Sequence, residues 1–160
     1  MIPVIPLVGL NYLFFAVYHD ARKNIAFNYA KSLTGTKGIV NLGATGSVGI
    51  STWKFANDPA TAANVDIHCG RTPKCETADM NFSLPFSDKT FDVAFASHVL
   101  EHIDEWELAL AEMDRVADNV VLALPHPLSI SGWLYTEHKQ HFGPKDVKEM
   151  EAIYPTLKVF

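Results

Sequence analysis

The stretch "ADMNFSLPFSDKTFDVAFASHVLEH" spans residues 78–102 and decides the reading of the chain. Its centre, "FDVAFAS" at 91–97, is nearly continuous in apolar residues. A short run of that kind belongs to a strand covered on both faces, as in a parallel sheet. The next letters, "HVLEH", place His98 and His102 four apart with Glu101 between them. They fit a metal-holding pair on a helix, or a strand that simply turns into a helix. The surroundings must choose.

Moving outward, strand and helix signals alternate. "DARKNIAFNYAKSL" at 20–33 has helical spacing and is stopped by "TGTKG". "GIVNLGATG" reads as a buried strand entering a glycine turn, and "SVGISTWKFAND" as the helix after it. "NVDIH" and "CETADM" are further strands, the second weaker. "IDEWELALAEMDRVA" is the clearest amphipathic helix, with acids in its first turn, where they complement the helix dipole. "NVVLALP" is a fifth strand, "DVKEMEAIY" a late helix and "TLKVF" a last strand. This order predicts an α/β fold, a Rossmann-like, mostly parallel sheet with helices on both faces. Ligands of such sheets sit beyond the carboxyl ends of the strands, beside the first one.

The totals narrow the function. With 160 residues, 48% apolar and 19% charged, the chain suits one globular domain. A formal charge of −5 argues against nucleic acid as a partner. Cys69 and Cys75 are too few for a disulfide scaffold; they could pair in an oxidising compartment, but two reduced thiols in a cytosolic domain is the preferred reading. Residues 1–18 carry no charge, but Pro3, Pro6, Gly9 and Asn11 weaken them as a membrane span. We therefore divide the chain into an apolar segment, 1–20, and a domain, 21–160. The segment suggests contact with a membrane on its cytoplasmic face or with a protein partner, set against simple packing on the domain.

Two sites stand out from the residues alone. "NLGATGSVG" places Gly43, Gly46 and Gly49 between a strand and a helix, where bare backbone and free N–H groups can meet a ligand. Asp66, at the end of the second strand, is where a carboxylate in a dinucleotide-type fold accepts from ribose hydroxyls.

The stretch 78–102, with "LPF", then "D..FD", a strand and "H.LEH", resembles the class I S-adenosylmethionine-dependent methyltransferases of the small-molecule type. The "E..RV" and the proline after the fifth strand extend the resemblance, which runs from about residue 38 to 142. It implies S-adenosylmethionine as cofactor, held by Asn41, Gly43, Ala44, Gly46, Asp66, Asp79, Met80 and Ser97. Asp66 would take the ribose, Asp79 the adenine amino group, and Met80 would pack on the ring. His98 and His126 would serve the reacting side, with a small or lipid-like acceptor. No metal is implied. "HVLEH" then begins a helix, and the inverted zinc-peptidase reading of H-x-x-E-H falls away.

Four departures define a trimmed version of the pattern. Asn41 stands where the family has an acid, and Thr45 where it has the middle glycine. Asp66 and Asp79 are too close for the usual helical crossover. The closing pair of strands is incomplete. These losses raise an alternative, a catalytically degenerate subunit that serves as an interaction module. A remoter one is an NAD(P)-dependent short-chain oxidoreductase, from "GATGSVG" with Tyr135 and Lys139 of "YTEHK", Arg71 then meeting a 2′-phosphate.

Overall fold

A computed structural model describes residues 4–44, 50–129 and 138–160. The chain begins with α1 (Val4–Ser32), then β1 (Ile39–Leu42), α2 (Ile50–Ala56), β2 (Thr61–Asp66), β3 (Cys75–Thr77) and β4 (Phe91–Ser97). A 3-10 turn (Leu100–His102), α3 (Trp106–Val116), β5 (Ala117–Ala123), α4 (Pro144–Ile153) and β6 (Leu157–Val159) complete it. The sheet runs β3-β2-β1-β4-β5-β6 with every neighbouring pair parallel. The order reverses between β1 and β4, which makes the carboxyl ends of those two strands the natural ligand crevice.

Alternation along the strands sends side chains to two separate cores. Ile39, Val93, Phe95, Val121 and Ala123 meet Ala26, Phe27 and Ala30 of α1 and Phe55 of α2. Val40, Leu42, Ala94, Ala96, Val120 and Leu122 meet Leu110 and Met113 of α3 and Met150 of α4. The period of two in a strand produces this division, and burial on both faces explains the nearly unbroken apolar runs.

The apolar segment and the first amphipathic stretch form one element. Pro6 lies in the first turn of α1, where a missing N–H costs no hydrogen bond, so the helix runs through the 20/21 boundary. No described helix is long and apolar enough to cross a membrane. On the outer face, Phe14 and Val17 are 60% and 66% exposed.

Most of the letters that carried the resemblance hold this scaffold together. The Asp92 carboxylate accepts from the N–H groups of Gly35, Lys37 and Gly38, fixing the turn before β1. Glu112 accepts from the Leu84 N–H at 2.7 Å, the Ser83 hydroxyl and the Arg115 guanidinium. Arg115 in turn donates to the carbonyls of Leu84 and Phe86 and to Asp88. The "LPFSD" loop is thereby clamped onto α3.

The β2–β3 crossover contains no helix, as the spacing predicts. The expectation of two free thiols is overturned: Cys69 and Cys75 are joined in a disulfide with their Cα atoms 5.6 Å apart. A chain that returns to the sheet within so few residues brings the two cysteines into bonding range. Asn64 braces the same loop, donating to the Pro73 carbonyl at 2.7 Å and to that of Ala56 at 3.0 Å. At the other edge, β6 pairs parallel to β5, half of the usual closing pair, as the sequence predicts.

Candidate active site

The carboxyl ends of β1, β2 and β4 collect most of the residues singled out for a cofactor. Gly43 follows β1 directly, with φ +69°, and its N–H donates to the Val65 carbonyl at 2.9 Å. A Cβ added there would lie 2.2 Å from Val99 Cγ2, so only glycine fits beneath the "HVLEH" turn. Ala44 is buried beside it and donates to the same carbonyl. Gly46, Thr45 and Gly49 lie outside the described residues.

Asp66 ends β2 at 9% exposure, and its Oδ1 accepts from the His68 N–H. Asp79 is exposed; its Oδ1 accepts from the backbone and side-chain amides of Asn81. Met80, beside it, is buried in the core on the α3 side. Ser97 closes β4 with its hydroxyl buried and without a hydrogen-bond partner among the described residues. Asn41 is placed differently. It is buried inside the sheet layer and donates to Asn64 Oδ1 at 2.8 Å, a link to the β2–β3 loop.

A second group lies beyond β4 and β5, where α1 packs over the strand ends. His98 has φ +54°, and its ring meets that of His19 at 4.9 Å. The His126 N–H donates to His19 Nε2 at 3.1 Å, and Phe15 and Tyr18 pack on the His126 ring. His126 Nδ1 accepts from the Leu128 N–H. Burial, reinforced by the nearby Lys23, holds His19 down to about 4 and His98 down to about 2, so both are neutral near pH 7. His126 is also lowered by burial. A neutral His98 with so low a pKa is a hydrogen-bonding and packing group and a weak proton acceptor.

Reading the sequence missed the most unusual member of this group. Glu101 is 1% exposed, and neither carboxylate oxygen has a hydrogen-bond partner among the described residues. His98 Nδ1 is 3.8 Å from Oε1, beyond hydrogen-bond range. Burial pushes the Glu101 pKa up to about 8, only partly offset by its own backbone N–H and the charge of Lys23. Lys23, itself lowered by burial, comes from α1. The signal available in sequence was the H-x-x-E-H spacing itself; nothing in it announced that His19 and Lys23 would arrive from the first helix.

Glu101 also lines a cavity of about 230 Å³ with His126, His138, Gln140, His141 and Phe142. The backbone N–H groups of Lys139 and Gln140 donate to the Glu101 carbonyl, tying the returning chain to the 3-10 turn. Ligand atoms of Glu101, His102 and His138 all lie within 4.8 Å of one another.

Residues 44–120 match the sequence family described as a methyltransferase domain. That match covers just under half of the chain, and the fold is that of methyltransferases. Solved structures with the same fold include a candidate methyltransferase from Bacillus halodurans C-125, at 16% identity and TM-score 0.56, over 82% of this chain and 67% of that one. An S-adenosylmethionine-dependent methyltransferase from Thermotoga maritima, a candidate histamine N-methyltransferase, aligns over 96% of this chain and 80% of its own, at 14% identity and TM-score 0.58. The YcgJ protein of Bacillus subtilis aligns over 83% and 67%, at 14% identity and TM-score 0.57. No curated protein sequence matches the chain. At such identities the structures establish the fold alone. Of the oxidoreductase pair, Tyr135 lies outside the described residues, and Lys139 is engaged with the Asp104 carboxylate.

Proposed function

We propose that the chain transfers a methyl group from S-adenosylmethionine to a small acceptor. The observation that carries this reading is the convergence of Gly43, Asp66 and the Ser97 hydroxyl, unpartnered among the described residues, at the switch point of a methyltransferase fold. When bound, S-adenosylmethionine supplies a methyl group already activated by a sulfonium. The chain's task is then to hold, orient and exclude water. Asp66 fits the ribose hydroxyls and Asp79 the adenine amino group, with Met80 forming the floor beneath the ring. Gly43 and Ala44 bring bare backbone to the amino-acid end, and Ser97 supplies a hydroxyl from β4. Asn41 supports the site through Asn64.

The acceptor would enter through the cavity beside His126. Its volume, about 230 Å³, favours a small molecule. The exposed Phe14 and Val17 support a further role for the outer face of α1, resting on a lipid or protein surface. A cytoplasmic setting is part of the same proposal. In that setting the Cys69–Cys75 bond would meet a reducing pool.

Isothermal titration of the full chain with S-adenosylmethionine, S-adenosylhomocysteine and the nicotinamide dinucleotides tests the reading. One-to-one binding of the first two alone, lost in Asp66→Ala, is the expected result. A folded chain that binds none of them, or only the dinucleotides, would overturn it.

A further inference from the structure

We propose that Glu101, His102 and His138 form a binding site for one divalent transition-metal ion of the zinc type, with an open position towards the adjoining cavity. Two independent observations carry this. The first is convergence: one carboxylate oxygen and two imidazole nitrogens, from chain segments 36 residues apart, approach within 4.8 Å of one another. The rings of His102 and His138 meet edge to face at 4.7 Å. The second is the state of Glu101. A carboxyl group 1% exposed, with both oxygens unpartnered among the described residues, lacks the partners that a buried polar group requires. A cation between it and the two histidines supplies such a partner.

The donor set has a defined chemistry. Two imidazoles and one carboxylate are borderline ligands that suit zinc, and three protein ligands with a fourth place open is the pattern of a reactive zinc site. Zinc bonds of about 2.0–2.2 Å would set the donors about 3.4 Å apart, so the side chains need to close by about 1 Å. The backbone is already arranged for this, because the Lys139 and Gln140 N–H groups grip the Glu101 carbonyl at 2.8 and 3.1 Å. Lys139 also pairs with Asp104, which steadies the returning segment.

This set differs from the one that H-x-x-E-H suggests. There the two histidines of the motif would be the ligands, and Glu101 would be left to act on water. Here His98 turns to His19, and His138 from the distant segment takes its place. The open position faces the cavity lined by His126 and Phe142, so a bound ion would sit where a heteroatom of an incoming molecule could reach it. The site stands independently of methyl transfer, since it can be measured with no cofactor present.

The test uses the full chain, stripped of metal with a chelator and titrated with zinc alone against a chromophoric competitor, and with cobalt(II) as a spectroscopic substitute. The expected result is one ion per chain and a cobalt spectrum of nitrogen and oxygen ligands. His138→Ala and His102→Ala should each weaken zinc by at least about 100-fold, beyond the usual loss from removing an outer partner. His68→Ala, outside the cluster, should bind as the parent does. His138 is only half-buried, so its variant should keep the circular dichroism of the fold, and Glu101→Gln gives a second check. Absence of stoichiometric binding by the folded chain would overturn the proposal. So would binding that survives both histidine variants, or a cobalt spectrum with thiolate bands.

Discussion

Glu112 and Glu101 stand eleven positions apart and occupy opposite chemical situations. Glu112 accepts from a backbone N–H, a hydroxyl and a guanidinium, and the Arg115 hydrogen bonds hold its pKa down to about 2. Glu101 is more deeply buried and has no such partner among the described residues, and its pKa is pushed up to about 8. One carboxylate is spent on architecture. The other is held ready at the edge of a cavity. A family signature contains both kinds of residue, and only their surroundings distinguish them.

The comparison can be broken most forcefully at Glu112. Removing it strips charge-assisted hydrogen bonds from the "LPFSD" loop, so Glu112→Ala should destabilise the fold by about 3 kcal/mol in denaturant unfolding. Arg115→Ala should cost a similar amount, and the double variant much less than the sum, because both act in one network. Additivity of the two would show that the clamp is not a unit.

At Glu101 the sign should reverse. In metal-free protein, Glu101→Leu removes a buried, unsatisfied carboxylate and should leave stability unchanged or raise it by about 1 kcal/mol. A loss above about 2 kcal/mol would mean that Glu101 is a structural partner after all.

A smaller effect sharpens the contrast through pH. Glu112 has a depressed pKa in the fold, so its stabilisation is present above about 4.5 and lost as pH falls through about 2. His19 is also depressed, so its neutral form contributes fully above about 6.5 and that contribution fades as pH falls towards 4. Thermal melting followed down the pH scale should therefore show two windows of loss. Glu112→Gln should shrink the lower window, to which the depressed His98 also contributes, and leave the upper one. The smallest effect belongs to the exposed pair of Lys139 with Asp104: Lys139→Ala should change stability by about 0.5 kcal/mol or less.

Much of this fold is legible in the letters. "FDVAFAS" coincides with β4 to the residue, and the alternation of apolar runs and amphipathic stretches implies a parallel sheet covered on two sides. The Asp66–Asp79 spacing is legible too, since so short a crossover has no room for a helix. What cannot be read is long-range. Cys69 and Cys75 look like two free thiols because nothing local reveals that the loop closes on itself. A boundary at residue 20 suggests itself because charge begins there, although α1 continues through it. Asn41 resembles a cofactor contact from its place at the strand end; its hydrogen bond to Asn64 depends on the neighbouring strand. Likewise Glu101 reads as structural until its buried surroundings, set by α1 and the segment from residue 138, are known.

The most direct test of the central claim is to locate the cofactor. Backbone amide shifts of the full chain, followed by NMR during titration with S-adenosylhomocysteine, would do so. The expected result is a saturable change concentrated at Gly43, Ala44, Asp66, Asp79 and Ser97, with α4 and β6 undisturbed. Saturable shifts confined to other regions, or none at all in a folded chain, would contradict the account.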